Sequence, residues 1–184
     1  MADRGWSDDI LDFWFGELGP KDWFGGGPAL DERIRDRFLT LYEKLARDVP
    51  DEALADPRSA LAAIVALDQF PRNMFRGTAR AFASDHQALA LARNAIARGF
   101  DQGMTAEERQ FLAMPLMHSE ELSDQHRCVT LFEEIGNAEA LKFAREHRDI
   151  VERFGRFPHR NRALGRDSSA AEKAFMEGHE GYGQ

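Results

Sequence analysis

Apolar residues recur along this chain at intervals of three and four and almost nowhere at intervals of two, so the pattern predicts helices and no sheet. A first short helix is expected from Ser7 or Asp8, acting as cap, through Phe15, with Gly16 as its stop. Gly19-Pro20 and Gly25-Gly-Gly-Pro28 then bracket a loop whose Trp23 and Phe24 are expected to plug the core. Asp31 caps a second helix, on which Ile34, Phe38, Leu41 and Leu45 form an apolar stripe opposite Glu32, Arg33, Arg35, Asp36, Glu43 and Lys44. Asp56-Pro57 opens a third helix. Its run from Leu61 to Leu67 is apolar on every side, which makes it central, and Pro71 is expected to end it near Phe70.

Thr78 is expected to open a fourth helix with Phe82, Leu89 and Ile96 one heptad apart and Gly99 placed for a left-handed cap. Thr105-Ala-Glu-Glu108 reads as the capping box of a fifth helix, kinked or ended by Pro115. Ser119 starts a sixth that runs to Gly136, and a seventh covers about Ala138 to Phe154 before Gly155. The segment from Arg156 to Asp167 is irregular. Ser169-Ala-Ala-Glu172 is a second capping box, opening a short last helix that frays into a tail from about Gly178. The expected fold is all-α, with about eight helices in one domain spanning residues 1–184. Antiparallel helix pairs fit either a closed bundle or a stacked, right-handed α-α superhelix of the tetratricopeptide kind. No clean repeat of about 34 residues chooses between the two.

Polar residues falling on apolar stripes change this picture from fold to chemistry. Asp68 lies seven residues after Leu61 and four after Ile64; Asp85 lies three after Phe82 and four before Leu89. Gln125 follows Leu122 by three, with Glu121 and His118 continuing its line upward, and His147 follows Phe143 by four. A buried, unpaired charge costs several kcal/mol, so these groups must meet each other, a cation or a ligand. The available cations are arginines. Arg72, Arg76 and Arg80 follow the third helix, and residues 153–166 contain Arg153, Arg156, Arg160, Arg162 and Arg166 with His159 and no acid. Guanidinium forks bind carboxylates and phosphates two bonds at a time, which suits an internal ion-pair lattice or an anion site equally. One internal echo is visible: Gln69-Phe-Pro-Arg-Asn73 and Phe157-Pro-His-Arg-Asn161 share a Phe-Pro-(His)-Arg-Asn core, each just after a helix, and chance similarity of helix-terminating loops accounts for it as readily as a shared role.

Composition excludes several classes. The 184 residues carry 24 Lys plus Arg against 32 Asp plus Glu, a formal charge of -8, which opposes approach to nucleic acid even with Phe154 and Phe157 set among arginines. The apolar run Ala60 to Leu67 is far short of the roughly 20 residues of a membrane-spanning helix, so no membrane partner is expected. The single Cys128 permits no internal disulfide, and the acidic start Met-Ala-Asp-Arg lacks the look of an export signal; the expected compartment is the cytoplasm. His118-Ser-Glu-Glu121 has helical ligand spacing, but no second such pair exists, so no metal is expected. Dinucleotide, Walker and nucleophile-elbow motifs are missing, and no cofactor is expected.

Four stretches carry a family resemblance: Ile10-Leu-Asp-Phe-Trp-Phe-Gly16, Leu67-Asp-Gln-Phe-Pro-Arg-Asn73, Phe111-Leu-Ala-Met-Pro-Leu-Met-His-Ser-Glu120 and Arg153-Phe-Gly-Arg-Phe-Pro-His-Arg-Asn161. Together they resemble domain-of-unknown-function family 924, a group of uncharacterised bacterial proteins. The resemblance spans nearly the whole chain and implies an all-helical fold related to the tetratricopeptide superhelix, with no established activity. Its motif positions fall on Asp68, Gln69, Arg72, Asn73, Arg76, Asp85, His118, Ser119, Glu120, Gln125, His147, Arg156, His159, Arg160, Asn161 and Arg166.

Two functional readings follow. In the first, an arginine-rich pocket binds a small anionic ligand or substrate where the two Phe-Pro-Arg-Asn-type segments meet the start of the sixth helix. There Arg72, Arg156 and Arg160 hold the anion and Asn73 and Asn161 orient it. Asp68, Arg76, Asp85, Gln125, His147 and Arg166 line the pocket, and His118 or His159, with Glu120 or Glu121, exchanges protons. In the second, the same residues build a non-catalytic scaffold for a protein or peptide partner.

Overall fold

A computed structural model describes residues 5–179, and among them every regular element is helical. The residues 1–4 of the acidic start and the end of the expected tail, 180–184, lie outside the described part. Helix α1 (Trp6–Leu11) runs without a break into a π-helical segment, Asp12–Glu17. Gly16 therefore lies inside the first helix and does not stop it, and the N-cap is Gly5, not Ser7 or Asp8. The expected glycine-rich loop contains helix α2 (Pro20–Gly25), because Pro20 presets the first turn and Asp22 accepts from the Gly19 amide. Trp23 packs on Phe111 at 5.0 Å and donates to the Trp14 carbonyl, whereas Phe24 is 64% exposed and plugs nothing.

Helix α3 (Pro28–Arg47) starts one turn before Asp31, with Gly27 as N-cap and Pro28 at the first position, so Asp31 is released from capping. Leu30, Ile34, Phe38, Tyr42 and Leu45 are its buried stripe, with Tyr42 taking the place expected of Leu41. A short helix α4 (Asp51–Ala55), not foreseen in the sequence, turns the chain into α5 (Pro57–Ile64), which Asp56 caps by accepting from the Ser59 amide. Residues 60–67 of this region are buried on all sides, as their apolar run requires. Phe13, Phe38 and Phe70 meet there, with ring centroids 4.8 to 5.0 Å apart for the pairs that share Phe38.

Pro71 does not end this helix. After α5 the chain passes through a π segment, Val65–Gln69, and continues as α6 (Phe70–Met74). Proline removes a donor that α-geometry would direct at the carbonyl four residues back, that of Leu67. The Ser84 hydroxyl donates to that carbonyl at 2.7 Å, so a residue from the next element replaces the missing bond.

The expected fourth helix is split into a 3-10 turn (Ala79–Phe82) and α7 (Asp85–Ala97). Its buried face is Ala88, Leu91, Ala92 and Ala95, and Leu89 and Ile96 are only partly covered. Thr105 and Glu108 form the expected capping box of α8 (Ala106–Met117), which carries Pro115 internally. Helix α9 (Leu122–Ile135) begins three residues later than Ser119, with Glu121 as N-cap, and α10 covers Ala138–Phe154. Gly136 and Gly155, at φ 79° and 68°, end these two helices in the left-handed region as read from the sequence. The segment after Gly155 contains one 3-10 turn, Pro158–Arg160, and α11 (Ala170–Met176) opens on its capping box. A small apolar cluster of Ile150, Val151 and Phe157, joined by Phe154 and Phe175, fastens this C-terminal part to α10. No helix among the described residues is long and apolar enough to cross a membrane.

Candidate functional site

The two Phe-Pro-Arg segments converge on one carboxylate. Arg72, from the first, makes a two-pronged bond to Asp85, with Nη1–Oδ1 at 2.8 Å and Nη2–Oδ2 at 2.9 Å. Arg160, from the second, reaches the same Asp85 Oδ2 with Nη1 at 3.3 Å and donates Nη2 to the carbonyl of His118 at 2.9 Å. Asp85 sits in the first turn of α7, where a carboxylate is also favoured by the helix dipole. Both guanidinium planes lie over the ring of Phe82, at 5.6 and 4.7 Å, and Arg160 lies over Phe157 at 4.7 Å as well.

Asp68 is carried into this cluster by the π segment and is buried, as expected. His118 Nδ1 stands 2.8 and 3.0 Å from its two oxygens, Gln69 Nε2 donates to Oδ2, and Arg72 Nη1 lies 3.3 Å from Oδ1. Burial drives the Asp68 carboxyl upward, but His118, Arg72 and Gln69 outweigh it and hold it down at about 2. Burial and the Arg72 guanidinium push His118 below the ordinary histidine value, Asp68 opposing, so the ring is uncharged at neutral pH. The two arginines diverge. Asp68 and Asp85 overcome burial and raise Arg72, whereas burial and Arg72 lower Arg160 to about 10. Arg160 thus shares its counter-ion, and its Nε is buried without a hydrogen-bond partner.

A second, closed cluster flanks the first. Arg166 forks onto Glu120 at 2.8 and 2.9 Å, Glu120 accepts from the Phe157 amide, and Asn161 accepts from Arg166 Nε. Burial raises the Glu120 carboxyl, and its bonds from Arg166 and the Phe157 amide more than reverse this. Arg156 does not join the site. It forks onto Glu172 of α11 at 2.7 and 2.9 Å, which ties the last helix down and, with the Ser169 amide, holds Glu172 down at about 2.

The remaining expected site residues separate by role. Gln125 is fully buried, and its Nε2 donates to the carbonyls of Leu116, Met117 and Ser119, closing the C-terminus of α8 as a side-chain cap. His147 is buried with its ring 6.4 Å from that of His118, but Nδ1 is spent on the Phe143 carbonyl; burial and His118 bring it down to about 3. His159 packs at a tilt against Phe157, ring centroids 5.4 Å apart, and is likewise lowered to about 3, chiefly by burial and Arg160. Glu121 corrects the sequence reading. The turn between α8 and α9 takes both His118 and Glu121 off the helix, so the stripe arithmetic fails, and Glu121 is exposed as the α9 N-cap. Arg76 and Asn73 point the other way, toward α3, where Arg76 forks onto Asp31. They line an open surface cleft of about 640 Å³ with Arg35, Asp36 and Phe75. Three contributors went unread in the sequence: Ser84; Asp124, which binds Arg93 and Ser119; and Phe82 as the platform under both guanidinium groups. The Asp-Glu-rich starts of helices signal such acids in general, but nothing local singles out their arginines.

Comparison with known proteins agrees with the motifs. The family model described as bacterial protein of unknown function (DUF924) matches residues 10–180. The chain belongs to the DUF924 family. A solved structure of a protein of unknown function, ATU0120 from Agrobacterium tumefaciens, is similar to this chain, with 43% identity and a TM-score of 0.88. The similarity covers 93% of this chain and 96% of that one. No curated protein matches. Among the described residues, no group of three or more His, Cys, Asp or Glu is placed to hold a metal ion.

Proposed function

We propose that this DUF924 chain binds a small anionic molecule, a carboxylate or phosphate, beside Arg160 and His118. The reading rests on Arg160, a guanidinium only 8% exposed whose single carboxylate contact, at 3.3 Å, is to a group already forked by Arg72. Arg72, Arg156 and Arg166 each have a carboxylate gripped by two bonds; Arg160 has none. An anion supplies what that buried charge lacks, and His118 and Asp85, partly exposed at 15% and 21%, show that solvent reaches the cluster. The anion clamp is thereby narrower than the sequence implied, with Arg156 outside it. The single cysteine and the acidic balance suit a cytoplasmic setting, and the order of packed helices suits a tetratricopeptide-like superhelix.

Thermal-shift measurements with inorganic phosphate, acetate and citrate test the reading. Stabilisation that Arg160→Lys removes supports it, since lysine keeps the charge and loses the fork. No stabilisation by any of the three ions contradicts it. A second reading, a scaffold for a peptide partner, is favoured by the closed Arg166–Glu120 and Arg156–Glu172 pairs and by the open cleft beside Arg76. Under it, the anions leave the unfolding temperature unchanged while Arg160→Lys lowers it.

A further inference from the structure

We infer that the Asp68–His118 pair makes His118 Nε2 a nucleophile toward activated phosphoryl groups, the substrate class being a phosphoramidate or acyl phosphate. This rests on the anion reading above and adds the chemistry to it. Both oxygens of Asp68 face Nδ1 of His118, at 2.8 and 3.0 Å. An ionised carboxylate only accepts, so the ring proton resides on Nδ1 and the lone pair on Nε2. Asp68 is 1% exposed, while the His118 side chain is 15% exposed and its Nε2 makes no hydrogen bond among the described residues. A buried acid that fixes the tautomer and orientation of a histidine is the arrangement by which a ring nitrogen is readied for attack.

The surroundings match a phosphoryl group in charge. Arg160 is bonded to the His118 main chain, and Arg72 borders Asp68, so two guanidinium groups belong to the cluster that holds the ring. In the step, the Nε2 lone pair forms an N–P bond while the P–N bond of phosphoramidate breaks. Its electron pair leaves with the nitrogen, which is already protonated in the zwitterion that phosphoramidate forms near pH 7 and so departs as neutral ammonia. Nδ1 keeps its proton, and the positive charge that develops on the ring is balanced by Asp68. His147 differs, being buried with its Nδ1 on the Phe143 carbonyl. His86 and His126 are exposed and have no carboxylate bonded to them among the described residues, so the same chain carries two reference histidines.

The test follows modification of each histidine over time by peptide mass spectrometry at pH 7, with phosphoramidate and, separately, with uncharged diethyl pyrocarbonate. The expected result is phosphorylation of His118 at least about tenfold faster than His86 and His126, despite its lower exposure, with the excess lost in Asp68→Asn. Phosphorylation of His118 no faster than that of the two references overturns the proposal in the unsubstituted protein, whatever the variant does. The second reagent locates the failure. An excess with diethyl pyrocarbonate alone means that the anion reading has failed and this proposal with it. No excess with either reagent, with phosphate still stabilising the fold, means that the histidine is inert and the anion site stands.

Discussion

Asp85→Asn is the substitution that loads most of the cluster's electrostatics onto one atom pair. The amide keeps the shape of the carboxylate and removes the negative charge shared by Arg72 and Arg160. Two buried guanidinium groups then face Asp68 alone, itself engaged by His118 and Gln69. Removing one partner of a buried ion pair costs about 3 to 5 kcal/mol. Asp85 is 21% exposed, so water recovers part of this and the expected loss sits near the lower end, about 3 kcal/mol. For a chain of this length that corresponds to a fall in unfolding temperature of roughly 6 to 12 °C. Urea unfolding of the parent and the variant, followed by circular dichroism, measures the shift in midpoint at constant slope. Arg72→Met alone should cost a similar amount, and the double variant much less than the two together, because each single change strands the other's charge. A loss below about 1 kcal/mol for Asp85→Asn, or strict additivity in the double variant, would refute the reasoning.

Three further outcomes follow from individual contacts. Ser84→Ala leaves the Leu67 carbonyl without the donor that Pro71 cannot supply, and urea unfolding should show a loss of about 1 to 3 kcal/mol. Acidification should weaken the fold well before its carboxylates titrate. His147 is neutral in the folded state down to about pH 3, so the unfolded chain binds the proton first and stability falls as pH drops from the unfolded value, about 6.5, toward 3. His147 alone is expected to cost about 2 kcal/mol at pH 5, and His147→Phe should reduce the fall of the urea midpoint between pH 7 and 5, the lowered His159 and His118 keeping the remainder. Asp68 adds a loss of the same sign at lower pH, between about 4 and 2, as its depressed carboxyl is protonated. Gly136→Ala meets nothing within 4 Å, so its cost is backbone strain alone at φ 79°, about 1 kcal/mol in thermal or urea unfolding.

Much of the helix plan was legible because its signals are local. The Thr105 and Ser169 capping boxes, Asp56 before Pro57 and the glycines at 136 and 155 all act where they were read. Two misreadings are local stop signals that do not end their helices. Gly16 lies within a π-helical stretch and Pro71 just after one, both inside continuous helical segments, and at Pro71 a distant hydroxyl repairs the backbone. Asp68 is buried as read, because the run before it is buried on every side and its burial does not depend on the helical register that the π segment interrupts. Heptad counting failed at Glu121, where the α8–α9 turn breaks the period. That buried acids and arginines meet was legible; which pairs form was not. Arg160 and Asp85 are 75 residues apart, and Arg156 chose Glu172 over the cluster, outcomes set by packing of distant segments.

The most direct measurement is a two-bond proton–nitrogen spectrum of the His118 imidazole as pH is lowered from 8. A protonated Nδ1 and a bare Nε2 at neutral pH, with charging only well below the ordinary histidine value, is the expected result. A proton on Nε2, or a ring already charged at pH 7, would contradict the buried Asp68–His118 arrangement at the centre of the site.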